Sequence, residues 1–200
     1  MTEQMVRDET PLEFFREQLE KAMEHQRVAT SAFTEYYLAS LLTRCVAGEP
    51  QPAAEPGYDE MPLALLYVRA VEASRRDRAR LLRALGDTAL FVSGFFADSL
   101  NGKLVHLGYY RAMGGRAYGR LSREEANPAG FGPAVFSELA DRFTQFADLL
   151  QEVSEASRLS SNRSVLALYE RWLQTGSRRA AKLLTEQGIS PVDPGPLKLQ

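Results

Sequence analysis

Apolar positions recur at three- and four-residue spacings along most of this chain, the pattern of helices that each bury one face. Thr10, Pro11 and Glu13 supply a hydroxyl cap, a first-position proline and the glutamate of a capping box. Leu12, Phe15, Leu19, Ala22, Ala29, Phe33, Tyr36 and Val46 follow, so a helix is predicted from Pro11 towards the stop at Gly48. Unbroken to Ala47, it would be about 55 Å long, more than the roughly 40 Å expected across a compact body of this size. The segment is therefore expected either to bend near Thr30 and Ser31, its weakest helix formers, or to project and pack against a second copy.

Residues 48–61, GEPQPAAEPGYDEM, lack periodicity and read as a long loop. Pro62 opens a second helix that carries Leu63, Leu66, Ala70, Val71, Leu81 and Leu85 to a stop at Gly86. Asp87 then reads as the cap of a third, whose body from Ala89 to Leu100 is apolar on nearly every side and belongs at the centre of a bundle. A fourth helix, weakened at Gly114 and Gly115, is predicted over Lys103 to Leu121, and a fifth over Pro133 to Ser157, with Phe136, Leu139, Phe143, Phe146, Leu150 and Val153 on one stripe. Two shorter helices follow, one with Val165, Leu168, Tyr169, Trp172 and Leu173, the other from Arg178 to Gln187. Residues 1–9 and 189–200 read as flexible tails. The expected fold is all-α, a single helical domain over residues 1–200: a bundle of six or seven helices with a buried central helix. Its core is expected to include Phe15, Leu19, Phe33, Leu66, Phe91, Phe95, Phe143, Phe146 and Trp172.

Composition supports helix over sheet, because isoleucine occurs once, at Ile189, while Leu, Ala, Arg and Glu are abundant. A formal charge of -2 argues against bulk attraction to nucleic acid or anionic membrane. Local charge is uneven: seven acids face three bases between Glu3 and Glu24, and five arginines accompany one aspartate from Arg75 to Arg83. That arginine run reads as a solvated face that could meet the acids of the first helix. One cysteine, Cys45, can form no internal disulfide, and with no apolar leader or span-length apolar run in the sequence the expectation is a cytoplasmic protein that does not enter a membrane.

From Asn101 to Arg123 there is no acidic residue, and Lys103, His106, Tyr109, Tyr110, Arg111, Gly114, Gly115, Arg116 and Tyr118 form the candidate site. Three uses fit this composition. Gly115 and Gly119 have the small-xxx-small spacing that lets a backbone approach closely, with the arginines answering acids on the first helix. Alternatively, tyrosine and arginine make a face for a protein partner, or they hold an anion or a flat aromatic ligand. Enzyme signatures are missing: neither His25 nor His106 belongs to an HExxH or ExxH pair, and there is no CxxC, no GxSxG elbow and no phosphate loop. The C-terminal pair of short helices, with Arg178, Arg179 and Lys182, reads as an ordinary helical hairpin rather than a DNA-binding one.

His25 on the first helix, taken with Met113-Gly114-Gly115, loosely resembles the haem oxygenases. In that family a first-helix histidine ligates haem and a glycine-rich distal helix lets backbone approach the other haem face; the characteristic sequence of that distal helix is not matched here. The expected function is a non-enzymatic interaction or scaffold protein that works by protein–protein contacts, as a homodimer and without a cofactor. The alternative is a helical pocket protein that binds haem or another flat anionic ligand, with His25 or His106 facing the glycines across a cavity.

Overall fold

The computed structural model describes residues 10–47, 62–95, 97, 107–124 and 130–157. These form seven helices and no strand: α1 (Pro11–Gln26), α2 (Ala32–Ala47), α3 (Leu63–Glu72), α4 (Arg75–Phe95), α5 (Leu107–Leu121), α6 (Pro133–Asp141) and α7 (Phe143–Ser157). Lys103, His106, Trp172, Arg178, Arg179 and Lys182, with the helices predicted after residue 160, the loop 48–61 and both tails, lie outside the described residues. No helix among the described residues is long and apolar enough to cross a membrane.

The capping box at the start of α1 forms as its sequence predicts. Thr10 Oγ1 accepts from the Glu13 N–H at 3.3 Å, and the Glu13 carboxylate accepts from the Thr10 N–H at 2.9 Å. The Thr10 N–H, joined by the Thr10 hydroxyl, which donates to the same carboxylate at 2.8 Å, holds the Glu13 carboxyl below its ordinary value. The bend comes earlier than Thr30. Arg27 takes a left-handed conformation, φ 55°, and the Val28 N–H reaches back to the Met23 carbonyl at 2.8 Å, while the Val28 side chain is buried. This is a Schellman-type ending with an arginine where glycine is usual. Ser31 then caps α2, its Oγ accepting from the Thr34 N–H at 3.1 Å.

Glu138 of α6 ties this bend down. It accepts from the Thr30 hydroxyl at 2.6 Å, the Thr34 hydroxyl at 2.7 Å and Arg142 Nη1 at 2.7 Å. Burial works against the charge, but the two hydroxyls, the guanidinium and the Ser31 N–H outweigh it and hold the carboxyl below its ordinary value. A carboxylate with a lowered folded-state pKa stabilises above its unfolded value, and that contribution is lost as pH falls through the folded one. Protection of the amides at residues 28–31 against hydrogen exchange is therefore expected to drop below the ordinary carboxylate range, and Glu138→Gln is expected to remove that pH dependence.

Inward-facing positions on α2 are Thr34, Tyr37, Leu38, Leu41 and Leu42, one step round from the predicted stripe. Phe33, expected in the core, is 74% exposed. The hydroxyl of Thr34 is committed to Glu138, which turns the helix so that Phe33 falls past the edge of the buried face.

α4 is the central helix, packed against α2, α3, α5 and α7 and buried at almost every position from Leu81 to Phe95. It differs from the expected pair of helices: the chain breaks at Ala73 and Ser74, then runs unbroken through Gly86 and Asp87. Gly86 is not a stop. A Cβ there would lie 2.5 Å from Tyr118 Cε1, so glycine serves to admit a ring from α5. Contacts between the two helices pair Ala89 with Gly114, Gly86 with Tyr118 and Arg78 with Glu124, so α5 runs antiparallel to α4. The helix expected over Pro133 to Ser157 is bent at one residue, Arg142, where hydrogen bonds from Arg142 N to Glu138 O and from Phe146 N to Arg142 O, both 3.0 Å, carry the chain on into α7.

Candidate functional site

Polar chemistry inside the bundle centres on Asp87, which has no solvent exposure. Its Oδ1 accepts from the Tyr37 hydroxyl at 2.5 Å and the Tyr118 hydroxyl at 2.7 Å. Arg44 Nη2 donates to Oδ2 at 3.1 Å, and Arg83 Nε stands 3.7 Å from the same oxygen while donating to the Tyr37 hydroxyl at 3.2 Å. Burial, followed by the charge on Asp87, pushes both tyrosines far above their ordinary values, so both hydroxyls stay protonated donors. Arg44 is raised as well, because the attraction of Asp87 and neighbouring groups outweighs its desolvation. The carboxylate is fully engaged from three helices, α2, α4 and α5. Such a cluster joins helices; it offers no free nucleophile or base.

Of these four partners, Tyr118 stood out in the sequence as part of the acid-free stretch and Arg83 only as the end of an arginine run read as a solvated face, whereas Tyr37 and Arg44 did not stand out. The available signal was a single acid inside the apolar run Ala84 to Val92, which a helix cap explains equally well. Arg83 stands one helical turn before it, but Tyr37, Arg44 and Tyr118 lie 31 to 50 residues away along the chain, beyond the reach of any spacing rule.

The acid-free stretch divides among several uses. Tyr118 belongs to the Asp87 cluster. The hydroxyl of Tyr109 accepts from the Ala64 N–H at 2.9 Å, satisfying a first-turn donor of α3 that Pro62 leaves without a side-chain cap. Tyr110 stands edge-on to Tyr109, with ring centroids 5.8 Å apart. Gly114 admits the Phe143 ring, to which a Cβ would approach within 2.3 Å. Gly115 and Gly119 face Ala140 of α6, where an added Cβ would stand 3.7 and 3.6 Å away, an ordinary van der Waals contact, so this face packs on α6 without requiring glycine. The arginines answer other acids than expected. Arg111 donates to Asp148 of α7 at 2.7 Å, Arg120 pairs with Glu124, and in the upstream run Arg78 also pairs with Glu124 while Arg83 turns to Asp87; none of these acids is on α1.

His25 is exposed, with Nδ1 3.0 Å from Glu152 Oε1 on α7, and Gln26 Nε2 donates to Glu152 Oε2 at 2.7 Å. It clasps α1 to α7 at the surface and does not face Gly114 or Gly115. Gln26, not His25, lines the groove that runs beside Gly115.

That groove is about 780 Å³, bounded by Arg111, Ala112, Gly115 and Arg116 of α5, by residues 140–145 and Asp148 at the α6–α7 bend, and by Gln26 and Val28. Arg111, Gly115 and Arg116 of the sequence-derived site thus come together here. Among the described residues, no group of three His, Cys, Asp or Glu side chains is placed to hold a metal ion.

The outer surface carries one further ordered feature. On α3, Leu63, Leu66 and Ala70 face inward, whereas Leu65, Val68 and Val71 are 54%, 50% and 41% exposed at three-residue spacing. No family model, curated protein or solved structure matches this chain.

Proposed function

We propose that the protein is a non-enzymatic helical interaction module that works through protein–protein contact, and that its first partner is a second copy of itself. The observation that carries this reading is the apolar stripe Leu65, Val68 and Val71 on the outward face of α3. Aliphatic side chains in such a row lower the free energy on leaving water, and regular rows of them mark contact surfaces more often than scattered single ones do. The stripe is centred on Val68. Two α3 helices laid antiparallel about a two-fold axis would set Val68 on the partner's Val68 and Leu65 on the partner's Val71, a self-complementary arrangement. Glu72 would then lie opposite the partner's Ala64, which keeps the two carboxylates apart.

This face replaces the long first helix as the basis for self-association, because α1 folds back onto α2 and α7 of its own chain. The full engagement of the Asp87 cluster supports the non-enzymatic part of the reading. The single cysteine supports a cytoplasmic setting.

Sedimentation equilibrium tests the proposal. A contact built on one ten-residue helix belongs at the small end of specific interfaces, so association is expected in the range of about 1–100 µM. Val68→Asp would put two like charges face to face at the centre and is expected to raise the dissociation constant at least about 100-fold, with unchanged helical content and melting temperature. A wild-type chain that stays monomeric at about 100 µM, or a Val68→Asp variant that dimerises as the wild type does, would overturn the reading.

A further inference from the structure

From the groove at the α6–α7 bend we infer a second site, one that binds a small ligand carrying a carboxylate or phosphate group. Its volume of about 780 Å³ lies within the range of small-molecule sites. The position of the groove follows from α5. Gly108, Ala112, Gly115 and Gly119 form one row of small residues, and α6 covers the later part of that row by setting Ala140 against Gly115 and Gly119. α6 ends at Asp141, and the earlier part of the row is left open: Ala112 is exposed and nothing stands within 4 Å of where a Gly108 Cβ would be. At 100° per residue, Arg111 falls on one side of this floor and Arg116 on the other.

The two guanidiniums have donors to spare. Arg116 is exposed and makes no ion pair or hydrogen bond among the described residues. Arg111 gives Nη2 to Asp148 and makes no other hydrogen bond among the described residues; its Nε is enclosed by protein, so its free donors are at the Nη end. The other charged walls are already engaged. Arg142 is taken up by the Ala29 carbonyl, Glu138 and Gln145, and exposed Asp141 accepts from the Ser137 hydroxyl at 3.5 Å. An anionic group lying over Ala112 would join Asp148 on Arg111 and give Arg116 the partner it lacks among the described residues, while the small residues beneath leave room for a flat body. Arginine favours this chemistry because its planar fork matches the oxygens of carboxylates and phosphates.

The test is a chemical-shift titration of the full chain with phenyl phosphate, benzoate and inorganic phosphate, each in turn. Saturable shifts are expected at the Ala112 and Gly115 amides and at the Nε–H signals of Arg111 and Arg116. Arg116→Gln is expected to weaken binding about fivefold or more. Ala112→Leu, which fills the floor from an exposed position, is expected to abolish binding. Both variants should melt as the wild type does, since neither touches a buried contact. Which probe binds tightest identifies the anionic group and shows whether the ring contributes. No saturable shift with any of the three, or equal affinity in wild type and both variants, would overturn the assignment. Because the readout is independent of the α3 face, Val68→Asp should bind these probes unchanged whatever its oligomeric state.

Discussion

Replacing Asp87 by alanine is expected to cost about 3–5 kcal/mol, the range for breaking a buried ion pair from one side, and to lower the melting temperature by about 10 °C or more. The loss would not come from the missing carboxylate alone. Two tyrosine hydroxyls raised far above their ordinary values by burial would be left without an acceptor, and Arg44 and Arg83 would keep their charges with no counter-ion between them. Asp87→Asn separates these effects, because it retains an oxygen for the tyrosines and removes the charge. It is expected to fall between wild type and Asp87→Ala, with Tyr118→Phe costing about 1.5–3 kcal/mol as the loss of one hydrogen bond to a charged group. Urea denaturation with unchanged slope measures all three. If Asp87→Asn were as stable as wild type, the ionic description of the cluster would be wrong.

The second large effect is a pair of glycine substitutions with opposite signs. A Cβ at Gly94 would lie 2.6 Å from Leu150 Cβ and 2.8 Å from the Ala147 carbonyl oxygen, so the obstruction is largely the α7 backbone. Neither can swing away as a side-chain tip could. Gly94→Ala is expected to destabilise by about 1–3 kcal/mol, even though alanine is the better helix former by about 1 kcal/mol. Gly108 also lies in a helix but has open space where its Cβ would go, and Gly108→Ala is expected to stabilise by several tenths of a kcal/mol. Thermal melts of the two variants should move in opposite directions. If both raised the melting temperature, the close contact between α4 and α7 would be refuted.

These residues show what the sequence made legible. Thr10, Pro11, Glu13 and Pro133 marked helix starts correctly because their signals are local, and Phe15, Leu19, Leu66, Phe91, Phe95, Phe143 and Phe146 are buried as their periodicity suggested. Gly86 and Asp87 misled for a physical reason. A glycine followed by an aspartate is what a helix end and the next cap look like, yet the same two residues admit the Tyr118 ring and carry a buried charge when distant helices close around them. Arg27 could not mark the bend, since the left-handed turn falls on a residue with no preference for it. In the acid-free stretch, residue type identified a region rich in contacts, but it could not separate Tyr109 and Tyr118, whose hydroxyls bond to other helices, from Arg111 and Arg116, which border open space.

The clasp between α1 and α7 bears on how the chain is made. His25 and Glu152 are 127 residues apart, so during synthesis α1 leaves the ribosome on the order of ten seconds before its partner helix exists. Through that interval α1, which carries Phe15 and Leu19 on its buried face, has only α2 of the two helices it chiefly packs on, and the closing contact is among the most distant in the described chain. Loop closure over such a span carries an entropic cost that short-range contacts do not, so docking of the α1–α2 pair onto α7 is expected late in assembly. The most vulnerable moment for this protein is thus a nascent one, with a finished α1–α2 hairpin presenting its apolar side to whatever is nearby.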